Sequence, residues 1–161
     1  MICGGPGQDV LFGIKGNNML YGGDGEDLLR GGPDNDQLFG GAGNDDLSAG
    51  VGDDVLYGED GVDVLAGGMG DDQLFGGGDG DYLYGNNGGD ALDGGDGEDL
   101  CLGGPGSDTI NACEGLSAAG NDADVAEEID EAEIMRLNDG DSGEFAVDLD
   151  FNDVYVPFLL R

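Results

Sequence analysis

A nine-residue period, unbroken from residue 4 to residue 111, constrains the fold of this chain more than any other feature. Position 6 of the period is Asp in eleven of twelve copies, and position 8 is Leu in ten. The exceptions are Asn18 at position 6, and Cys101 and Ile110 at position 8. In order, the copies are GGPGQDVLF, GIKGNNMLY, GGDGEDLLR, GGPDNDQLF, GGAGNDDLS, AGVGDDVLY, GEDGVDVLA, GGMGDDQLF, GGGDGDYLY, GNNGGDALD, GGDGEDLCL and GGPGSDTIN. A Gly-rich linker would not keep Leu in phase for so long, so the period indicates a repeat architecture.

Each copy combines a turn with a short extended segment. Gly is frequent at positions 1, 2 and 4, where we expect positive φ angles that a side chain would resist. Positions 7 to 9 are expected to be extended, with the position-8 side chain facing inward because strand side chains alternate. Two turns and two strands would close one coil of eighteen residues, so that odd copies stack on one side and even copies on the other. The Leu column would then fill the space between two parallel sheets.

The repeated Asp side chains predict a cation site. Those one coil apart, such as Asp9, Asp27 and Asp45, would lie about 4.8 Å from each other, the spacing of neighbouring strands. Carboxylates this close repel each other, and a hard cation between them would replace repulsion with attraction. Calcium suits the gap because it takes roughly six to eight oxygen ligands, backbone carbonyls included, in a flexible geometry. Magnesium requires a stricter octahedron, and the absence of His counts against zinc.

The repeated sequence resembles the calcium-binding nonapeptide repeat of the RTX (repeats-in-toxin) proteins, also called the hemolysin-type repeat, over about two thirds of the chain. The resemblance implies an all-β fold, a parallel β-roll that is a right-handed β-solenoid with 18 residues per coil. We expect residues 1–111 to form this roll and residues 112–161 to form a small C-terminal α+β cap.

The resemblance also implies where each ion lies, between adjacent loops on one side of the roll. The upper loop supplies its Asp and the carbonyls of positions 2 and 4, and the lower loop supplies its Asp and the carbonyls of positions 1 and 3. Twelve loops form two stacks of six, which leaves five gaps per side and at most ten sites.

Carried over to this chain, the ligands fall into three groups. The position-6 side chains are Asp9, Asn18, Asp27, Asp36, Asp45, Asp54, Asp63, Asp72, Asp81, Asp90, Asp99 and Asp108. The upper-loop carbonyls are those of Gly5, Gly7, Gly23, Gly25, Gly32, Asp34, Gly41, Gly43, Gly50, Gly52, Gly68 and Gly70. The lower-loop carbonyls are those of Gly22, Asp24, Gly40, Ala42, Ala49, Val51, Gly58, Asp60, Gly67, Met69, Gly76, Gly78, Gly94, Asp96, Gly103 and Pro105.

Some loops depart from the pattern. The second copy loses a Gly to Ile14 and a charge to Asn18, so we expect the weakest sites around it. Asp34 and Asp79 occupy position 4, while Glu59 and Asn86 replace Gly at position 2; a side chain at these positions must tolerate a strained backbone. The best sites are expected among copies 3, 5, 8, 11 and 12.

Two other columns carry alternatives. At position 9 the even copies place Tyr21, Phe39, Tyr57 and Phe75 outward on one face. This aromatic face could stiffen the sheet by cross-strand stacking or provide a docking surface for a protein or another surface. Cys101 and Cys113 lie in a segment, LCLGGPGSDTINACEG, that is similar to the terminal repeat of extracellular RTX-like proteins, where such a pair is often bridged. The alternative is a buried thiol at 101 and a free one at 113, and Cys3 remains unassigned.

Both ends of the chain leave questions open. Met1-Ile2-Cys3 fits positions 7 to 9 of a preceding copy, so the chain either begins inside a longer array or has a short lead-in. In the tail, residues 122–137 predict an amphipathic helix, 138–143 a turn and 144–156 one or two strands. The tail would cap the roll, and its end, NDVYVPFLLR, is loosely similar to a type I secretion signal. We expect no secretory signal at the N-terminus and no membrane-spanning helix.

Composition narrows the function. A net charge of −33 repels nucleic acid and anionic membranes. The absence of His excludes zinc-protease motifs, Ser–His triads and Cys–His pairs, so we expect no enzyme. The leading prediction is an extracellular, calcium-folded structural module that forms the C-terminal part of a larger exported protein. The alternative is a free-standing adhesive protein that uses its aromatic face. An ice-binding solenoid is disfavoured because its flat face would need more Thr than Thr109 alone.

Overall fold

The computed structural model describes residues 1–114 and 118–119, and every regular element among them is a β-strand. The strands are β1 Ile2–Pro6, β2 Val10–Phe12, β3 Met19–Asp24, β4 Leu28–Pro33, β5 Gln37–Ala42, β6 Asp46–Val51, β7 Val55–Asp60, β8 Val64–Met69, β9 Gln73–Gly78, β10 Tyr82–Asn87, β11 Ala91–Asp96, β12 Leu100–Gly104, β13 Thr109–Asn111 and β14 Ala118–Ala119. Within these residues, therefore, no helix has the length and hydropathy that crossing a membrane requires.

The strands form two parallel seven-stranded sheets, one of odd-numbered and one of even-numbered strands. Hydrogen-bonded neighbours are one coil apart, as in the pairing of Leu20 with Leu38 and of Leu38 with Leu56. This is the predicted parallel β-roll, a solenoid with 18 residues per coil. The tail predictions, which are the cap, its helix and strands, and the secretion signal, concern residues outside the described part of the chain.

The strands are longer than the sequence predicted. Extended structure begins at position 7 and continues through position 3 of the next copy, so that most strands have six residues. Their burial alternates, with positions 8 and 1 facing inward between partly exposed neighbours. The expectation of a turn immediately after position 9 was wrong, because backbone pairing with the adjacent coils continues through the first glycines.

Glycine predominates at position 1, where only copy 6 has another residue, Ala49, and the reason differs from the predicted one. Positive φ angles occur at positions 2 and 4, as in Gly23 (φ 120°) and Gly25 (φ 141°), but not at position 1. At Gly31, which is at position 1, a Cβ atom would lie 2.5 Å from Asp36 Oδ2 and 2.7 Å from the Ala49 carbonyl oxygen. The prediction of positive φ at position 1 was therefore wrong, and lack of space explains the residue.

Five side chains occupy the left-handed positions where glycine is usual. Ile14, Glu59 and Asn86 stand at position 2 and Asp34 and Asp79 at position 4, with φ between 68° and 79°. The strain predicted for them is confirmed. Two of these side chains form hydrogen bonds: Asp34 Oδ2 accepts the N–H of Gly16 in the neighbouring coil at 2.9 Å, and Asn86 Nδ2 donates to the Tyr84 carbonyl at 3.2 Å.

The core is a column of position-8 side chains, joined by the position-1 side chain Ala49. From Leu20 to Cys101 these side chains are at most 1% exposed. Ile2 extends the column at one end, paired with Leu20, so Met1-Ile2-Cys3 takes positions 7 to 9 as predicted. At the other end Ile110 and Cys113 pack against the column.

A disulfide closes the C-terminal end of this column. It joins Cys101 to Cys113, whose Cα atoms are 6.0 Å apart, and thereby decides between the two alternatives left by the sequence. Cys3 is exposed and free.

Candidate metal centre

The position-6 side chains form a ladder along each edge of the roll. In each step one carboxylate oxygen, Oδ1, accepts the backbone N–H of the position-6 residue one coil earlier, as in Asp45 N–H to Asp63 Oδ1 at 2.7 Å. The ten bonds of this kind measure 2.6–2.9 Å. They hold the carboxylates in the fixed positions that a binding site requires.

The second oxygen of each carboxylate, Oδ2, is buried and accepts no hydrogen bond. This holds for Asp27, Asp36, Asp45, Asp54, Asp63, Asp72, Asp81, Asp90, Asp99 and Asp108. Buried polar atoms in native proteins almost always have a partner, and an unpaired buried carboxylate oxygen is more costly than a neutral one. A regular series of such atoms therefore indicates positions where a cation binds.

Backbone carbonyls surround these oxygens, as in the gap between copies 3 and 5. From the upper loop, the carbonyls of Gly23 and Gly25 point toward Gly41 and Gly43, so closely that a Cβ on either glycine would overlap them. From the lower loop, the Gly40 carbonyl points toward Gly22, where Asp27 Oδ2 also lies.

The position-3 carbonyls of the lower loops line the same gaps. The Ala42 carbonyl accepts the Gly25 N–H at 2.7 Å, and the Asp60 carbonyl accepts the Gly43 N–H at 2.8 Å. A carbonyl oxygen has two lone pairs, so each retains one for a cation. The gap between copies 3 and 5 thus brings together all six residues predicted for it from the sequence.

Burial perturbs the pKa of the inner carboxyls. Desolvation raises the pKa of Asp63 and Asp72 to about 7, with backbone hydrogen bonds opposing and neighbouring carboxylates adding to the shift. The same causes raise the pKa of Asp45, Asp54 and Asp81 to about 6. Without a positive charge nearby, these groups would be partly protonated at neutral pH.

The donor set fits a hard cation with many oxygen ligands. Among the described residues no cluster of three or more His, Cys, Asp or Glu side chains has metal-binding geometry. Every gap except the one bounded by Asn18 instead offers two carboxylates and several carbonyls, a combination that calcium accepts and zinc does not. When bound, calcium would neutralise the carboxylates and occupy the unpaired lone pairs.

Eight of the ten gaps share this arrangement, from the gap between copies 3 and 5 to the gap between copies 10 and 12. Each has a buried, unpaired Oδ2 on its upper side. In the first gap of the odd side the upper carboxylate is Asp9, which is only partly buried because no coil precedes it in the described structure.

The second copy differs from the others. Asn18 Nδ2 donates to the Gly16 carbonyl at 2.5 Å and to Asp36 Oδ1 at 3.0 Å. The amide nitrogen therefore takes the place of the unpaired oxygen and hydrogen-bonds to Asp36, a predicted ligand, and to the Gly16 carbonyl, which was not predicted. A donor in this position would disfavour a cation, which is consistent with the expectation that the sites around copy 2 are the weakest.

A second ladder, at position 5, was not predicted from the sequence. On the even side, the backbone N–H of a position-5 residue donates to the side chain one coil earlier in three consecutive steps, which include Asp71 to Asp53 at 3.1 Å and Gly89 to Asp71 at 2.8 Å. The signal was present in the run Asn35, Asp53, Asp71 at eighteen-residue spacing. These side chains are exposed and face outward, away from the gaps.

The aromatic face is stacked. Consecutive ring centroids of Tyr21, Phe39, Tyr57 and Phe75 lie 4.6, 5.0 and 4.9 Å apart, with interplanar angles of 5° to 9°. The rings are partly exposed. Cross-strand stacking, one of the two predicted roles, is therefore present.

The fold and the site together define a β-roll whose loops bind calcium. The family model described as the RTX calcium-binding nonapeptide repeat matches residues 4–38, 39–74 and 75–110. The chain therefore belongs to the RTX calcium-binding repeat family and contains a calcium-binding repeat module. Searches among curated proteins and among solved structures returned no significant match.

Proposed function

We propose that this chain is an extracellular structural module whose folding is coupled to calcium binding. The observation that carries the proposal is the series of buried Asp Oδ2 atoms without partners. Burying these carboxylates without a counter-charge opposes folding, whereas a bound cation reverses the sign of the electrostatic contribution. Because the sites exist only when neighbouring coils stack, binding free energy becomes folding free energy.

Circular dichroism with and without calcium tests the coupling. In EDTA we expect the spectrum of a largely unfolded chain, and in millimolar calcium a β-rich spectrum. Magnesium at the same concentration is the matched control and should restore little of the β signal, since it dehydrates reluctantly and requires octahedral geometry. Identical β-rich spectra in EDTA and in calcium would refute the coupling.

Three observations support the proposed extracellular location. Calcium outside cells is abundant enough to fill weak sites, and the Cys101–Cys113 disulfide is of a kind that persists in oxidising compartments. Proteins with these repeats are typically exported. Secretion assays on the full reading frame, with and without residues 112–161, would test whether the tail directs export.

We propose further that the module is the C-terminal part of a larger exported protein and has no catalytic activity of its own. Support comes from the family match, which assigns residues 4–110 to a calcium-binding repeat. Additional repeats or a catalytic domain upstream in the parent gene would agree with this proposal. A parent gene that encodes the module alone would favour the alternative.

The alternative is an adhesive or partner-binding protein that uses the aromatic face. The partly exposed stack from Tyr21 to Phe75 supports it. Its test is association of the calcium-loaded protein, measured by sedimentation. Loss of self-association or partner binding in the double variant Tyr57→Ser/Phe75→Ser, with Tyr84→Ser on the opposite sheet as control, would favour docking. Unchanged association would leave stacking as the role of the face.

With its strong negative charge, the module is expected to bind neither nucleic acid nor anionic membranes.

A further inference from the structure

We propose an additional cation site beyond the last gap of the repeat array, formed by copy 11 above and residues 112–114 below. The proposal rests on the calcium-binding function proposed above and extends it to a segment that the family match, which ends at residue 110, does not include. The lower half of this site is not one of the twelve repeat loops. It is a short segment that the disulfide holds in place.

The first observation is an unpaired carboxylate oxygen that none of the ten gaps uses. Asp99 is 1% exposed, and its Oδ2 has no hydrogen-bond partner. Its Oδ1 accepts the Asp81 N–H at 2.8 Å and so belongs to the gap between copies 9 and 11. Oδ2 faces the opposite way, beyond copy 11, where the array has no further complete copy.

The second observation is a carbonyl at the position where each inner gap has one. In the inner gaps, a Cβ on the position-1 glycine would meet both its own copy's Asp Oδ2 and the position-1 carbonyl of the lower loop. At Gly85 these two atoms are Asp90 Oδ2 at 2.5 Å and the Gly103 carbonyl at 2.6 Å. At Gly94 they are Asp99 Oδ2 and the Ala112 carbonyl. Ala112 therefore acts as the position-1 residue of an incomplete thirteenth loop.

The third observation is a source of negative charge on the lower side. Glu114 lines a surface depression together with Tyr82, Glu98, Asp99 and Leu100. Glu114 supplies the negative charge that a position-6 Asp supplies in the lower loops of the inner gaps. With the upper-loop carbonyls of Gly95 and Gly97, which correspond to those of Gly23 and Gly25, the donors are again carboxylates and carbonyls, as calcium prefers.

The disulfide makes this site possible. It ties Cys113 to Cys101 on β12, with 6.0 Å between their Cα atoms, and so holds Ala112 and Glu114 on either side of the bridged residue. Ala112 has a φ of 47°, a left-handed conformation that a non-glycine residue adopts at some cost. Reduction would release the segment, so occupancy of the terminal site should depend on the redox state while the inner sites should not.

Crystallography of the calcium- or terbium-soaked full chain provides the direct test. The anomalous difference map should show peaks in the inner gaps and one more between Asp99 and Ala112. Peaks in the inner gaps without a peak at Asp99 and Ala112 would overturn the terminal site but leave the proposed function intact. No peak anywhere would overturn both.

Native mass spectrometry of the calcium-loaded protein supplies a solution count. Glu114→Gln and Cys113→Ser, the latter kept in reductant, should each bind one ion fewer than the parent chain. Glu26→Gln is the matched control, since Glu26 is exposed and bonded to Gln8 rather than facing a gap, and it should lose none. Equal ion counts for Glu114→Gln, Cys113→Ser and the parent would count against the terminal site.

Discussion

At the scale of the residue, the position-6 Asp performs two tasks with its two oxygens. Oδ1 accepts a backbone hydrogen bond from the preceding coil, and Oδ2 is left for an ion, as the pair Asp45 and Asp63 illustrates. Asparagine can perform the first task but not the second, because its amide nitrogen is a donor. Substitutions at this position therefore separate the structural role from the ion-binding role.

Asp63→Asn should remove at least one bound calcium while retaining the Oδ1 acceptor. We expect the calcium-loaded chain to lose about 1–3 kcal/mol of unfolding free energy, the linkage expected from a site filled well above its dissociation constant. Urea denaturation in calcium, paired with an ion count, measures both effects. Asp53→Asn is the control, because Asp53 is exposed and an Asn there still accepts the Asp71 N–H; equal losses in the two variants would contradict the assignment.

Asn18→Asp should have the opposite effect. It replaces the amide that donates to the Gly16 carbonyl and to Asp36 with a carboxylate, and so opens the gap between copies 2 and 4 to an ion. We expect one more bound calcium by native mass spectrometry and a folding midpoint at lower calcium concentration. In EDTA the same change should destabilise the fold, since it adds an unpaired charge. An unchanged ion count would mean that the gap stays closed for another reason.

At the scale of the element, most strands run through glycines, and these glycines differ in the space they leave for a side chain. In β3 a Cβ on Gly23 would overlap the Gly5 carbonyl, and its φ of 120° is unfavourable for any side chain. In β9, by contrast, a Cβ on Gly78 would have its nearest neighbour, the Glu59 carbonyl, at 4.0 Å. Replacing Gly23 should therefore destabilise the roll far more than replacing Gly78, although the sequence alone does not distinguish the two glycines.

Gly23→Ala should lower the unfolding free energy in calcium by more than about 2 kcal/mol, from backbone strain and from separation of β1 and β3. Gly78→Ala should be nearly neutral, or stabilising by up to about 1 kcal/mol through the unfolded chain. Thermal or urea denaturation of the two variants side by side provides the measurement. A Gly23→Ala variant as stable as the parent would show that the coils separate more easily than the structure implies.

At the scale of the whole molecule, the roll concentrates negative charge that the unfolded chain can disperse. The net charge is −33 over 161 residues, and nine position-6 carboxylates are at most 3% exposed. Neutralisation by protons or by calcium ions should therefore promote the same fold. Protons and calcium ions should also compete with each other, because both bind the same carboxylates.

The metal-free chain should consequently be more stable at low pH than at high pH. The pKa of Asp63 and Asp72 is about 7 in the folded chain against an ordinary 3.8, so folding takes up protons. The contribution of these two protonated carboxyls to the stability of the metal-free fold is fully present below about pH 4 and is lost as the pH rises through about 7. In EDTA, β structure measured by circular dichroism should increase from pH 8 to pH 5, whereas in calcium it should change little. A loss of β structure on acidification in EDTA would contradict the sign of these shifts.

The period alone was enough to predict the parallel roll, the Leu core and the carboxylate columns. In a nine-residue repeat with Asp at position 6 and Leu at position 8, every copy must bury the same side chain and turn at the same place. Stacked coils meet both requirements along the whole repeat region. The six residues around the gap between copies 3 and 5 needed more than the period: the resemblance to the RTX repeat implied which positions supply ligands, and the period then gave their residue numbers.

Details that depend on how the coils contact each other were decided by the tertiary structure. The extension of strands to position 3, the steric reason for Gly31, the donor role of Asn18 and the Cys101–Cys113 bond all involve atoms far apart in sequence. Sequence periodicity specifies which residues are equivalent, but it contains no distances. Only the folded coils show which oxygens are already hydrogen-bonded and which are left for an ion.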